Sequence, residues 1–330
     1  MQIGAILTTS GDKKETDSSE LDARHVGTRV GPLTEIPVNK LQVVGNNLLE
    51  LAMRKLRDAG INSPLMVSEG FTRSSKLSRQ LSGRAFAWER AVSECLAKQM
   101  DALFLLGVRE YTDLDYNELL RFHLERGSVF TQVYDETGPL DIAIINCAAL
   151  RNGNGTYHAI LDHLVPQQGR FYYEGYVNRL RKPLELMQLI EDALHGRCNL
   201  LPVGTEVAAG IWVGAGAEVD DSCTVSGPVF IGAETRIGAG CTIGGNSAIE
   251  QACKIDTGTT IENSWILQNT YIGVGLNVRR TIVSNRKIFH LDRRTEVAIN
   301  DRRLIGAIRQ LSLGESVAKF GRFQLNKSTD

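Results

Sequence analysis

The sequence predicts an α/β head over residues 1–197, a parallel β-helix over 198–290 and a capping segment over 291–330. Three observations predict it. Aliphatic residues stand six apart without a break at Val207, Val213, Val219, Val225, Ile231, Ile237, Ile243, Ile249, Ile255 and Ile261, with Leu201 one step earlier. Two places before each member from Val207 onward runs a second, mostly small series: Thr205, Ile211, Ala217, Cys223, Val229, Thr235, Cys241, Ser247, Cys253 and Thr259. Before residue 197 the rhythm changes, and short apolar runs alternate with helical patterns.

A fixed period of six belongs to the parallel β-helix. Each step is a short strand and a corner, and three steps make a coil of about 18 residues. Coils stack about 4.8 Å apart, so equivalent positions pile into ladders. The aliphatic ladder is expected inside, with the small residues where the interior narrows. Gly214, Gly232, Gly238 and Gly244 follow aliphatic positions and are expected to serve the tight corners. The interval from Ile261 to Ile272 fits a five-residue step at Ile266, and the beat resumes through Val278. An amphipathic helix would repeat at three and four instead. The segment from Glu296 to Ile308 reads as a final strand and helix that cap the solenoid.

Composition narrows the classes. A chain of 330 residues exceeds one ordinary small core and implies two domains. A net charge of -1 gives no electrostatic ground for nucleic acid or an anionic membrane as partner. No stretch approaches the roughly 18 apolar residues of a membrane span. The six cysteines form no C-x-x-C pair, and Cys223, Cys241 and Cys253 sit on the small-residue ladder, so reduced, buried thiols are expected. The opening MQIGAILTTSG lacks a basic leader and reads as a first strand, so a cytoplasmic protein is expected.

In the head, strands are expected at Ile3 to Leu7, Leu65 to Val67, Leu103 to Leu106, Val129 to Tyr134 and Ile142 to Ile145. Helices are expected at Asn46 to Ala59, Ala85 to Met100, Asp113 to Arg126 and Pro183 to His195, with Thr112 or Asp113 capping the third. This alternation implies a mostly parallel sheet, which takes ligands outside the carboxyl ends of its strands. The loop after the first strand is therefore the first candidate site. It holds Gly11, a polar insertion at 12–26, then Gly27-Thr28-Arg29-Val30-Gly31-Pro32-Leu33-Thr34, Pro37 and Lys40.

These residues resemble the sugar-1-phosphate nucleotidyltransferases (NDP-sugar pyrophosphorylases). That family opens with a strand, a Gly-rich turn and G-T-R-x-x-P-L-T, then P-K and a helix such as LLELAMRKLRDAGI. Many members also carry a left-handed β-helix of hexapeptide repeats, so both parts of the chain point the same way. The resemblance implies a Rossmann-like nucleotidyltransferase head followed by a left-handed parallel β-helix. It places Gly11, Gly27, Thr28 and Arg29 around the nucleotide. It gives Arg29 and Lys40 the catalytic handling of its phosphates, although Val38 and Asn39 separate Lys40 from Pro37.

The motif then breaks. The family's first metal Asp follows glycine, and here Gly107 is followed by Val108. Its second falls where this chain has Asn178, and its E-K-P sugar motif is not visible. Neutral side chains make a poor Mg2+ site. The metal ligands are thus unassigned. Glu110, Asp113 and Glu174 are candidates, set against the plainer readings of Asp113 as a helix cap and Glu110 as a solvated loop residue.

Two functions stand side by side. An active enzyme would use Mg2+ to join a nucleoside triphosphate and a sugar 1-phosphate into an NDP-sugar and pyrophosphate. A catalytically lapsed relative would bind nucleotide or NDP-sugar as a regulatory or scaffolding subunit and need no cofactor. A third reading, an acyltransferase of the tail, lacks its histidine base. No His lies between His195 and His290, and His290 reads as structural. A homo-oligomer is expected in each case.

Overall fold

The computed structural model describes residues 1–9, 41–67, 83–153, 155–164 and 169–308. The head begins with β1 (Ile3–Thr8), β2 (Gln42–Val43), β3 (Asn46–Asn47), α1 (Leu48–Asp58) and β4 (Leu65–Val67). Next come α2 (Gly83–Ala97), β5 (Ala102–Gly107), β6 (Tyr111–Thr112), α3 (Tyr116–Glu125), β7 (Phe130–Asp135) and β8 (Gly138–Asn146). It closes with α4 (Cys147–Asn152), α5 (Tyr157–Leu164), β9 (Gly169–Tyr172), β10 (Val177–Asn178) and α6 (Pro183–Leu194).

Six of these strands form one sheet in the order β4-β1-β5-β8-β7-β9. β1 runs parallel to β4 and β5, and β7 parallel to β9, while β8 runs antiparallel to both its neighbours. The mostly parallel sheet expected above is therefore mixed. The reason is local: a tight turn joins β7 to β8, and adjacent strands so joined must be antiparallel. Asp135 Oδ1 closes that turn by accepting from the amides of Thr137 (2.7 Å) and Gly138 (3.0 Å).

Each face of the sheet has its own core. Ile6, Leu103, Leu105 and Ile145 pack against Trp88 and Val92 of α2 and Ile160 and Leu161 of α5. Leu7, Phe104, Leu106 and Ile144 pack against Leu56 of α1, Leu119 of α3 and Leu189 of α6. Asn47 caps α1, its Oδ1 accepting from Leu49 N (3.0 Å) and Glu50 N (3.2 Å). The cap of α3 is Asp115 rather than Thr112 or Asp113, with Oδ1 2.9 Å from Asn117 N. Thr112 is taken into β6, which delays the helix.

The tail is a parallel β-helix with three faces. Its registers confirm the ladders: Val213, Ile231, Ile249, Ile266 and Val283 stack on one face. Val219, Ile237, Ile255 and Ile272 stack on the second, and Val225, Ile243, Ile261 and Val278 on the third. From Ile231 onward these side chains are buried. The front of the series behaves differently. Leu201 and Val207 are exposed, and the strand Thr205–Ala208 runs antiparallel to Ile211–Val213, with no earlier coil to cover it.

The small ladder does more than save space. Thr235 Oγ1 donates to Glu250 O (2.9 Å), Cys241 Sγ to Asp256 O (3.2 Å), Cys253 Sγ to Leu267 O (3.1 Å) and Thr259 Oγ1 to Gly273 O (2.7 Å). Each bond runs one coil onward. The glycines also need correcting. Left-handed corners fall instead at positions that include Gly216, Gly240, Gly258 and Gly275, and at non-glycine residues such as Glu234, Ala252 and Asn269. Gly214 and Gly232 are required instead by close approach: a Cβ there would sit 2.4 Å from Ala233 N and 2.5 Å from Gln251 N of the next coil.

Beyond the last coil come two strands, Thr295–Ala298 and Ile305–Ala307, where a strand and a helix were expected. Ile305–Ala307 pairs with the open edge of Thr270–Ile272, whose free backbone groups a helix could not satisfy. His290 ends the strand Lys287–His290, opposite Thr281 on one side and Thr295 on the other, a place within the sheet. Among the described residues no helix is long and apolar enough to cross a membrane.

Candidate functional site

The carboxyl ends of β1, β4 and β5 form one edge. Thr9 N donates to Val67 O (2.8 Å), Val108 N to Thr8 O (3.0 Å) and Thr8 Oγ1 to Leu106 O (3.1 Å). Stretch 10–40 leaves the edge at Thr9 and stretch 68–82 leaves it at Val67. The site residues Gly11, Gly27, Thr28, Arg29 and Lys40, with the insertion 12–26, lie outside the described residues.

The turn after β5 is described throughout. Val108 points into the core at 4% exposure, beside Leu106 and Tyr111, so the first metal position is part of the packing. The second position is close by, because Asn178 of β10 pairs with Tyr111 of β6. The fold thus brings together the two segments that the resemblance expects to carry carboxylates. Asn178, however, is buried and committed: its Nδ2 donates to Glu185 O (2.8 Å) and its Oδ1 accepts from Leu180 N (3.1 Å). It fixes the entry to α6.

The substitute candidates fare no better as metal ligands. Asp113 accepts from Tyr111 Oη (2.7 Å) and Asn199 N (2.9 Å), which pins the turn to the segment leading into the tail. It is a staple rather than a helix cap. Glu174 is exposed. Glu110 is more than a solvated loop residue, for it is half-buried with Oε1 accepting from Asp141 N (2.6 Å). Burial, reinforced by the charge of Asp141, pushes its carboxyl up to about 8, so it is protonated near neutrality.

Asp141 itself was not legible in the sequence, since nothing in its spacing ties it to the turn. It stands so close to β5 that a Cβ on Gly107 would lie 2.7 Å from its own Cβ. Its Oδ2 faces Arg109 NH1 at 3.6 Å. No group of three or more His, Cys, Asp or Glu side chains is placed to hold a metal ion among the described residues. Among the described residues, Val108, Asn178 and their substitutes do not form the Mg2+ site of the resembled family.

Behind the turn, Lys55 of α1 donates to the carbonyls of Thr112 and Leu114 and lies over the rings of Tyr111 (5.7 Å) and Tyr116 (5.8 Å). Burial lowers its pKa, opposed by Asp113 and Asp115. The adjoining cavity, lined in part by Lys55, Glu110 and Tyr116, has room for a water-sized molecule and is too small for a nucleotide.

The state of Glu110 can be read from stability. Its folded pKa lies above the roughly 4.3 of a free Glu, so the folded state holds the proton longer than the unfolded chain. Stability on its account falls as pH rises from about 4.3 to about 8, then levels. Glu110→Gln keeps the acceptor for Asp141 N and removes the titration. The variant should match the parent at pH 5 and exceed it by about 2 kcal/mol at pH 9 in urea unfolding. Equal stability at both pH values would show Glu110 to be solvated after all.

The second core of the head continues into the tail. Trp212, Phe230, Ala248, Trp265, Ile282 and Phe289 lie in register on the outside of one coil face, and most are buried against the head. From Trp212 to Ile282 their spacing of 18, 18, 17 and 17 residues was visible but hidden beneath the inner beat. Among them sits Glu250, wholly buried. Its Oε1 accepts from Val44 N (2.9 Å) and Trp265 Nε1 (3.0 Å), and its Oε2 from Gly45 N (2.9 Å). Val44 and Gly45 turn between β2 and β3 with left-handed backbones, which aims both amides at one carboxylate.

An α/β head packed on a parallel β-helix tail is the class that fold and site define. Residues 225–299 match the family model described as the GMPPB C-terminal domain, so this part of the tail is similar to that domain. Comparison with the curated proteins gave no match.

Proposed function

We propose that this protein binds a nucleotide or NDP-sugar at the carboxyl edge of β1, β4 and β5 and no longer transfers nucleotidyl groups, acting as a regulatory or scaffolding subunit. The observation that carries this reading is the fate of the two metal positions. Val108 belongs to the core and Asn178 to the entry of α6, so neither returns to metal binding by a rotamer change. The phosphate-binding motif Gly27-Thr28-Arg29, by contrast, is intact. Backbone amides and an arginine suffice to hold phosphates, while transfer also needs the developing charge to be neutralised. Exposed Leu201, Val203 and Val207 at the front of the tail support the expected homo-oligomer.

The reading is tested with GTP, UTP, CTP and dTTP, each with a hexose 1-phosphate and Mg2+. No pyrophosphate release is expected above the protein-free rate. The melting temperature is expected to rise with at least one nucleotide or NDP-sugar, and less so in Arg29→Ala. Pyrophosphate release would establish the active enzyme instead, and a melting curve unmoved by every ligand would remove the binding function.

A further inference from the structure

The missing carboxylates leave a question of charge. A nucleoside triphosphate carries several negative charges, and whatever holds it must supply cations or directed N–H groups. Arg109 is the described cation at the right place. It follows Gly107 and Val108 at the carboxyl end of β5, where open α/β sheets take their ligands. A tight backbone turn sets it there, with Arg109 N donating to Gly107 O at 2.9 Å.

Its side chain is held but not consumed. The side chain is 16% exposed, so its direction is fixed by packing. Its charge partner Asp141 stands 3.6 Å away, beyond a good hydrogen bond. Its Nε is buried and has no acceptor among the described residues. An unmet guanidinium donor is costly, and the guanidinium is not used up by its own protein neighbours. Arg179 shows the opposite case nearby. It meets Asp135 through two bonds (2.5 and 3.1 Å) and donates to the carbonyls of Pro139 (3.1 Å) and Gly138 (3.0 Å), so each of its three nitrogens has an acceptor.

We propose that the Arg109 guanidinium takes the place of the divalent cation, so that this protein binds the phosphates of its nucleotide without Mg2+. The proposal rests on the nucleotide-binding reading above and adds what neutralises the ligand. A planar guanidinium matches a pair of phosphate oxygens, which a lysine ammonium cannot do in the same geometry. Asp141 and Glu110 are then positioning residues. Glu110 fixes the Asp141 backbone, and Asp141 aims the guanidinium.

The test is isothermal titration of the full chain with whichever of GTP, UTP, CTP or dTTP raises the melting temperature most, once with Mg2+ and once with EDTA. The two dissociation constants are expected to agree within about twofold, and Arg109→Gln to weaken binding in EDTA by about tenfold or more. Arg109→Lys should fall between, because it keeps the charge and loses the fork. Binding that needs Mg2+, or an Arg109→Gln protein that binds as well as the parent, overturns the proposal and leaves the nucleotide reading standing. Absence of binding in both buffers removes that reading as well. Should Arg109→Gln fail to fold, the parent protein in EDTA and Arg109→Lys still decide.

Discussion

Replacing Glu250 by alanine is expected to cost about 3 kcal/mol of folding stability, read from the urea midpoint at pH 7. The substitution leaves the amides of Val44 and Gly45 and the indole N–H of Trp265 without their acceptor, and Val44 and Trp265 lie in the core. An unmet buried donor costs about 1–3 kcal/mol, and water entering the space left by the side chain offsets part of the sum. Burial pushes the Glu250 carboxyl up to about 7, against the pull of the three N–H groups. The raised value means that its contribution, like that of Glu110, weakens as pH rises from about 4.3 to about 7. Glu250→Gln is a poor rescue, because its amide NH2 turns one more donor toward the cluster. A loss under about 1 kcal/mol for Glu250→Ala would mean that the β2–β3 turn does not depend on the tail.

Phe230→Ala is expected to cost about 4 kcal/mol. Phe230 points outward from its coil, and on a free-standing β-helix an outward residue would be solvated and nearly neutral to replace. Here it is wholly buried and shares one core with head residues such as Val44 and Leu48. The measurement therefore reports head–tail packing rather than coil stability. The same protein should lose stability as a single cooperative unit, since one core spans both parts. A cost near zero would show that the head does not rest on this face.

The resemblance and the structure meet at different depths. The six-residue beat named the inner ladders correctly because a ladder position is set by chain period alone, and period is a property of sequence. The strands and helices of the head were equally legible where long apolar runs marked them. The short helices α4 and α5 and the pairs β2–β3 and β6–β10 were missed, being too brief to show a period. Glu110 was misread for a related reason. Burial of a single charged residue in a turn depends on what packs over it, and Asp141 comes from a strand 31 residues away.

By itself the sequence determined the coil, its register, the thiols along its narrow ladder and the absence of a carboxylate at positions 108 and 178. Those follow from residue type and spacing, which act along the chain. The tertiary structure alone decided what these residues do: Val108 as core, Asn178 as the clasp of α6, Arg109 set against Asp141, and Glu250 reaching from the tail to the Val44–Gly45 turn. Each of these contacts joins segments far apart in sequence. A side chain's charge state and freedom are fixed by the neighbours it acquires on folding, and no local pattern records those neighbours.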